Sequence, residues 1–598
     1  MCRIAGMLHA GMPVLQIEQV VRQMCDIQQH GGPDDEGLFT SAENHLVLGN
    51  RRLALIDLSQ EGHMPMEYRQ RYFITYNGEL YNYQALRSEL TGLGHRFSNH
   101  TDTEVILVSF AQWGPQAFSR LQGMFAFALF DSHDKELYIV RDAVGIKPLY
   151  FSQQDRSIVF ASEIRAFRAV ESCRESNPHW QVYMMAYGHL PEPVSTLKNV
   201  HPLPKGSYLK YNTVRHSCSL QSFKHYSYSH RLTGKQQVKE EVASLLDKAV
   251  KRHLVADAPL GVFLSGGLDS SILAVLAARY KKHDLNTLSI HFNESEFSEK
   301  RYQDLVIQQI GCQSHQYLLR EDEFHHSFPG ILQAMDMPSS DGINTWFISK
   351  YAGKQGLKAV LSGVGGDELF GGYPSFRRIQ PARLIQQLPS PMIRLGRRSR
   401  FKKLNRMSYL RMDGVKGLYL FLRGHFSPYE IARQLDMKEK QVWAILQEHP
   451  VLMNAGDVLE TSNQASWMEF NLYMQNQLLR DSDVMSMIHG VEIRVPFLDD
   501  DLIRMALRID PAVKYEGARP KQILIDAFQH ELPEQVWNRP KMGFSFPFSQ
   551  WLGSSQYVRD LMMQGGKNSQ TNYQKFLKGK LHWSHLMSLV IMRNKGLQ

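Results

Sequence analysis

No stretch of this 598-residue chain approaches the roughly 18 consecutive apolar residues that a membrane-spanning helix needs. The start, Met1-Cys2-Arg3-Ile4-Ala5-Gly6, lacks the basic segment and long apolar core of a secretory signal. Cysteine is scarce: Cys2, Cys25, Cys173, Cys218 and Cys312 are odd in number, scattered and without metal-ligand spacing. That pattern excludes a disulfide framework and a zinc site, and leads us to expect free thiols in a reducing, cytoplasmic setting. Internal repeats and low-complexity tracts are absent. Strong charge imbalance is absent too, with a net charge of +9 over the whole length. The densest basic run, Arg394 to Arg406 with Arg397, Arg398, Arg400, Lys402 and Lys403, has no aromatic-rich nucleic-acid motif beside it. It reads as the solvated surface of an insertion, so neither nucleic acid nor membrane is expected as a partner.

What is present is an ordinary globular composition, 43% hydrophobic and 21% charged, in a chain too long for one core. Two or more domains are expected. Up to about residue 210 the chain is rich in short apolar strands, among them 72–76, 124–130, 136–140 and 157–161. Residues 216–237 are polar and read as a linker between a first domain, 2–215, and a second, 238–598. From Val238 apolar residues recur at helical spacing, through Val242, Leu246, Val250 and Leu254. Apolar runs at 260–264, 287–292 and 357–361 then alternate with helical segments, the signature of a parallel sheet wound with helices. Beyond about residue 380 the pattern is mostly helical.

The run Leu260 to Leu264 leads directly into Ser265-Gly266-Gly267-Leu268-Asp269-Ser270-Ser271 and then into a helical stretch. A small-residue loop between strand and helix points N–H groups at an anion, and the helix dipole adds to the attraction. Serine hydroxyls can donate to phosphate oxygens, and Asp269 can hold Mg²⁺. No Gly-Lys-Ser/Thr follows, which rules out a Walker loop. The pattern fits a pyrophosphate loop of the kind that splits ATP to AMP; the plain alternative is a glycine-rich βα turn. A second loop, Leu361-Ser362-Gly363-Val364-Gly365-Gly366-Asp367-Glu368, follows another strand. Strand ends in a wound sheet converge on one crevice, so Asp367 is expected to face Asp269 over Mg²⁺–pyrophosphate, with Ser362 and Gly363 lining the adenine or ribose.

At the other end, removal of Met1 would leave Cys2 carrying both a thiol and a free α-amine, a nucleophile with its own base. Alone this is a weak signal. It is followed in order by Gln29-His30-Gly31-Gly32-Pro33-Asp34, Arg52-Leu53-Ala54-Leu55-Ile56-Asp57, Tyr76-Asn77-Gly78-Glu79-Leu80 and Thr101-Asp102-Thr103-Glu104, and then by Arg141-Asp142. Asn77-Gly78 by itself is equally a hairpin turn. Together the series resembles the class II glutamine amidotransferase domain. The resemblance implies an Ntn-type four-layer α/β/β/α sandwich, with Cys2 as nucleophile and Asn77 and Gly78 as oxyanion hole. It also implies a glutamine pocket of Arg52, Leu55, Ile56, Asn77, Gly78, Glu79 and Asp102, in which Arg52 pairs with the substrate carboxylate.

The second half adds Gly490-Val491-Glu492-Ile493-Arg494-Val495-Pro496-Phe497-Leu498-Asp499 and Lys521-Gln522-Ile523-Leu524. With the two loops it resembles the ATP-pyrophosphatase synthetase domain of glutamine-dependent asparagine synthetase. That likeness implies ATP and Mg²⁺ as cofactors. It assigns Leu264, Ser265, Gly266, Gly267, Asp269, Ser270, Ile290, Ser362 and Gly363 to ATP, Asp269 and Asp367 to the metal, and Lys521 to catalysis. The partners are then small molecules: glutamine, ATP and a carboxylate, most simply aspartate. A homodimer is compatible with the chain.

The pattern departs at four places. The family has Gly where this chain has Arg3, and Arg where it has Gly31. Its second loop has Glu where Val364 stands, and segment 339–345 has no Thr-Thr with a nearby Arg to hold an α-carboxylate, whereas Asp341 would repel one. The same chemistry on a uronic acid sugar or a peptide carboxyl is therefore the alternative acceptor reading. From a different class, a non-catalytic nucleotide-binding partner is disfavoured by intact Cys2, Asp269, Asp367 and Lys521. Phosphoribosyl-type amidotransferases share the first domain but lack the 265–271 loop.

Overall fold

The computed structural model describes residues 2–229, 231–389, 405–412, 414–448, 459–543 and 545–596. The basic residues Arg397, Arg398, Arg400, Lys402 and Lys403 lie outside them.

The chain opens with strand β1 (Arg3–His9), helix α1 (Val14–Ile27), β2 (Asp35–Ser41) and β3 (Leu46–Arg52). Next come β4 (Met66–Tyr68), β5 (Tyr72–Leu80), helices α2 (Tyr83–Gly92) and α3 (Asp102–Trp113), β6 (Gly123–Asp131) and β7 (Glu136–Arg141). The series β8 (Tyr150–Gln154), β9 (Ser157–Ala161), α4 (Trp180–Tyr187), β10 (His201–Pro202), β11 (Ser207–Asn212) and β12 (Cys218–Ser222) follows. These strands form two antiparallel six-stranded sheets, ordered β10-β8-β9-β1-β3-β2 and β12-β11-β7-β6-β5-β4. Part of the polar stretch expected to be linker is thus an edge strand, since Cys218–Ser222 pairs with β11.

Period-two alternation explains the layering. On β1, Ile4 and Leu8 face the other sheet and meet Ala126, Ala128 and Phe130 of β6. Ala5 and Met7 point the other way, to Ile17, Val21 and Met24 of α1. On β6, Phe125, Phe127 and Leu129 turn outward to Val105, Ile106 and Val108 of α3. The product is the α/β/β/α sandwich.

Helix α5 (Lys235–His253) leads into β13 (Leu260–Phe263), α6 (Leu268–Lys281), β14 (Asn286–His291), β15 (Gln313–Leu318), β16 (Ala359–Leu361) and β17 (Glu492–Arg494). All pair in parallel, in the order β15-β14-β13-β16-β17. The chain builds outward from β13 on one side, then returns to its other side with β16. The switch of direction between β13 and β16 opens a crevice at their carboxyl ends. Most of the remaining described chain is helical, including a π-helical stretch, Glu469–Leu479, running into helix Arg480–Met487.

The halves share one core. Leu53, Leu55, Met124, Val144 and Ile146 of the first pack with Val262, Leu361 and Val495 of the second. Polar ties rim this interface: Asp257 N–H donates to Leu55 O at 3.0 Å, and the Ile164 N–H to Asp336 Oδ2 at 2.7 Å.

Candidate active site

The first candidate centre lies where the two antiparallel sheets meet. The β1–β3 register pairs Arg3 with Arg51, so the next residues outward, Cys2 and Arg52, sit side by side at the sheet end. Cys2 is buried, and its backbone N–H donates to Asn77 Oδ1 at 3.2 Å. Burial pushes its thiol above the usual range, opposed by the Leu53 N–H and by the Arg52 charge. Asn77 and Gly78 are not a hairpin turn. They sit inside β5, opposite Ala126 and Phe125 of β6. A side chain on Gly78 would place its Cβ 2.2 Å from the Met124 carbonyl, so only glycine admits this strand approach. Asn77 Nδ2 is buried and meets no acceptor among the described residues. An orphan buried donor on the side chain that accepts from the Cys2 N–H is costly unless something occupies it, which suits a binding or catalytic role.

Around this point stand the other expected pocket residues. Arg52 Nη1 donates to Ser59 O at 3.0 Å, and its Nη2 to Asp57 O. Asp102 opens α3, where Oδ2 accepts from Tyr76 OH at 3.0 Å and Leu80 N–H at 2.9 Å. Burial raises Asp102, and raises Glu79 more strongly. Leu55 is buried, with Ile56 half-buried beside it. Glu79 also receives a residue that sequence reasoning left without a role: Arg494 of β17, whose Nη2 lies 3.3 Å from Glu79 Oε1. Arg494 Nε reaches Glu492 Oε1 at 2.5 Å, while its backbone carbonyl accepts from Ser362 N–H at 2.8 Å. One buried arginine therefore touches the glutamine-type pocket and the second glycine-rich loop together.

The second candidate centre is the crevice between β13 and β16. Leu264 follows β13 directly, and its N–H donates to Leu288 O at 2.8 Å. Ser265 Oγ lies 2.9 Å from Ser270 Oγ and accepts from Gly267 N–H at 3.2 Å, folding the loop on itself ahead of α6. Gln303 Nε2 ties Ser265 O to Ile290 O, at 3.3 and 3.1 Å. Gly363 and Gly366 lie flat against Asp269; a Cβ on either would come within 2.9 Å of its side chain. Lys521 Nζ bridges Asp269 Oδ2 and Asp367 Oδ1, at 2.6 Å each. The two loops thus bring their carboxylates to one cation, as expected from the sheet. Lys521 itself sits in the left-handed region, at φ +58°, capping helix Gln522–Phe528. Such backbone strain in a non-glycine residue collects at functional sites.

Burial pushes Asp269 up against the pull of Lys521. The same burial on Asp367 is outweighed by Lys521 and by Lys541, which also pairs with it. Lys541 and Arg539, whose Nη2 donates to Gly266 O at 2.9 Å, were missed in the sequence because an isolated Arg-Pro-Lys is normally solvated. No cluster of three or more metal-ligating side chains exists among the described residues. Two carboxylates are nonetheless what a Mg²⁺ ion takes when phosphates and water complete its shell, and Asp269 Oδ1 is buried without a hydrogen-bond partner among the described residues. The donor set fits.

Segment 339–345 is the one expected to face the acceptor. Ser339 Oγ donates to Asp481, and Gln477 Nε2 lies 3.2 Å from Ser339 Oγ. Asp341 and Val364 are half-buried. Tyr373 donates to Glu368 Oε1 at 2.8 Å and stands edge-on to Tyr473, with ring centroids 5.7 Å apart. Arg423 is committed to Glu469, with Nε 2.8 and 2.6 Å from its two oxygens, and lies over the Tyr473 ring at 3.7 Å. Burial pushes Glu368 and Asp481 up to about 7. The folded protein thus holds a proton on Asp481 that the unfolded chain, with a carboxyl near 3.9, releases. This contribution to stability is full below about pH 4 and is lost as pH rises to about 7. Asp481→Asn is expected to lose less stability than the parent between pH 5 and 8, by about 1 to 3 kcal/mol. Urea unfolding at the two pH values measures it; equal losses would refute the assignment.

A cysteine pocket and an anion-loop crevice in one chain, sharing a buried core, is the organisation of a glutamine-dependent amide-forming enzyme that uses ATP. Comparison with known proteins makes the family specific: the chain belongs to the asparagine synthase family, whose model matches residues 241–588. The glutamine amidotransferase domain model matches residues 1–224. Asparagine synthetase (glutamine-hydrolyzing) 1 of Bacillus subtilis is 30% identical over 587 residues, covering 94% of this chain and 90% of its own. A putative asparagine synthetase (glutamine-hydrolyzing) of Mycobacterium bovis is 29% identical, covering 92% and 87%. Amidase chry2 of Gibberella zeae is 26% identical, covering 92% and 90%. No helix among the described residues is long and apolar enough to cross a membrane.

Proposed function

We propose that the chain transfers the side-chain nitrogen of glutamine to a carboxylate that it first activates with ATP, releasing AMP and pyrophosphate. With Met1 removed, the Cys2 thiol attacks the glutamine amide, ammonia leaves, and water hydrolyses the thioester to glutamate. Asn77 Nδ2 and the Gly78 N–H hold the oxyanion, while Arg52, Glu79 and Asp102 hold the amino-acid end, with Leu55 and Ile56 beside them. In the second centre the acceptor carboxylate attacks the α-phosphorus of ATP and pyrophosphate departs. Leu264 to Gly267, Ser270, Ile290, Ser362 and Gly363 form the nucleotide crevice. Asp269 and Asp367 would hold Mg²⁺, which neutralises phosphate charge when bound. Lys521 then stabilises the charge that builds as ammonia displaces AMP. The apolar interface of Leu53, Leu55, Met124, Val144 and Ile146 suits passage of neutral ammonia, which bulk water at pH 7 would protonate. The working domain limits are 2–222, extended from 215 to take in β12, and 238–598, and a cytoplasmic homodimer is the working state.

The single observation that carries this reading is the meeting of Asp269 and Asp367 on Lys521 in a chain that also buries Cys2 against Asn77. The relatives named as asparagine synthetases favour aspartate as acceptor, giving asparagine. A second reading, another carboxylate such as a uronic acid sugar or a peptide carboxyl, is favoured by the acceptor side: Val364 is apolar, Asp341 is acidic, and Arg423 is committed to Glu469. The test is pyrophosphate release with Mg·ATP and ammonium chloride, on addition of L-aspartate, D-glucuronate or D-galacturonate. Stimulation by aspartate alone supports asparagine synthesis; stimulation by a uronate alone supports the second reading; an acid-independent rate refutes both.

A further inference from the structure

Arg3 adjoins Cys2 and is fully buried. Its Nε donates to Glu163 Oε1 at 2.7 Å, and its Nη1 to Asp483 Oδ2 at 2.8 Å. Glu163 belongs to the first half of the chain and also holds His30 Nε2 at 2.9 Å and Arg165 Nε at 2.8 Å. Asp483 belongs to the second half, on helix Arg480–Met487, and its other oxygen lies 3.2 Å from Lys147 Nζ. Two residues earlier, on the same helix, Asp481 accepts from Ser339 on the acceptor side. One helix thus holds the residue beside the thiol through Asp483 and the segment expected to face the acceptor through Asp481.

Gly31 explains how Arg3 fits. A Cβ on residue 31 would lie 2.6 Å from Arg3 Cγ and 2.7 Å from its Nε. The family pattern has the opposite arrangement, glycine beside the cysteine and arginine after the histidine. In this chain the arginine stands at residue 3, and the glycine at 31 leaves room for its stem. The guanidinium is thereby carried on the nucleophile's own strand, β1. A displacement of helix Arg480–Met487 would then reach the residue adjacent to the thiol directly. Buried ion pairs are weak devices for stability, because desolvation offsets most of their attraction. A network of this size, spanning two halves, calls for another role.

We infer that Arg3 is a positioning residue that ties the Cys2 strand to the helix beneath the acceptor side, so that filling the synthetase crevice changes the reactivity of Cys2. This rests on the proposed function, since it requires both centres to serve one reaction. The test follows alkylation of Cys2 by the glutamine analogue 6-diazo-5-oxo-L-norleucine, by intact mass, with and without Mg·ATP. In the parent chain Mg·ATP is expected to change the labelling rate by about fivefold or more. In Arg3→Met the nucleotide-free rate persists and the response to Mg·ATP disappears. Arg3→Lys keeps the charge but cannot span both carboxylates, and loses most of the response. The double variant Arg3→Gly/Gly31→Arg returns the guanidinium to the other carrier and restores labelling with at least part of the response. A parent chain indifferent to Mg·ATP overturns the inference, as does a folded Arg3→Met or Arg3→Lys variant that keeps the full response. Failure of the analogue to label Cys2 at all would instead remove the glutaminase reading on which the inference stands.

Discussion

Cys2→Ala is expected to abolish glutamine-driven amide formation, by at least about 10⁴-fold, while leaving ammonia-driven formation near the parent rate. The asymmetry follows from the geometry. Cys2 is the residue whose backbone N–H donates to Asn77 Oδ1, and among the described residues none of the other cysteines, Cys25, Cys173, Cys218 and Cys312, hydrogen-bonds to Asn77. Alanine is smaller than cysteine and keeps the backbone N–H that donates to Asn77, so the local fold should persist. The synthetase crevice is built from β13 and β16 and does not use Cys2. Glutamate release and pyrophosphate release, each measured with glutamine and then with ammonium chloride, separate the two centres. Loss of both activities in a folded variant would sink the two-centre picture.

Lys521→Ala is expected to reduce pyrophosphate release by about 10²- to 10³-fold with either nitrogen source, while the glutaminase rate changes little. Lys521 Nζ is within 2.6 Å of both Asp269 and Asp367, so its removal leaves two neighbouring half-buried carboxylates with Lys541 as the remaining cation on Asp367. One carboxyl would then tend to take up a proton, which weakens the site for Mg²⁺ as well as for phosphate. Lys521→Arg should not substitute. A planar guanidinium cannot place one point charge between two carboxylates as an ammonium does. A measurement of pyrophosphate release against Mg²⁺ concentration, with circular dichroism as the control for folding, tests this. Unchanged pyrophosphate release together with unchanged amide formation in Lys521→Ala would end the assignment of Lys521 to the synthetase centre.

The strands with strong local signals were legible in the sequence. Residues 124–130 read as a strand and form part of β6, and 136–140 and 157–161 likewise fall in β7 and β9. The loop at Ser265 was legible because small residues between an apolar run and a helical run have few other uses. Strands β15 and β17 were not. Gln313–Leu318 is polar and half-exposed, and Glu492–Arg494 carries two charged residues that are buried only because they pair with each other and with Glu79. Asn77-Gly78 was ambiguous for a related reason: the dipeptide favours a turn locally, and only the packing of β5 on β6 keeps it extended. The linker assignment missed β12, whose mostly exposed, polar residues are held chiefly by backbone pairing to β11, with Gln221 Oε1 accepting from Tyr208 OH at 2.5 Å.

The sequence by itself determined the chemistry available: a thiol at position two, two glycine-rich loops after strands, and a lysine far downstream. Those are covalent facts, and local spacing is enough to state them. Only the tertiary structure decided which of these groups meet. Asp269, Asp367 and Lys521 are separated by up to 252 residues and converge because β13 and β16 are neighbours at the turning point of the sheet. Arg494 reaches Glu79, and Arg3 reaches Asp483, because two hydrophobic faces close on each other and leave buried charges no water to turn to. Burial is a property of the whole packed chain, so the pairing of charges within it had to wait for the fold.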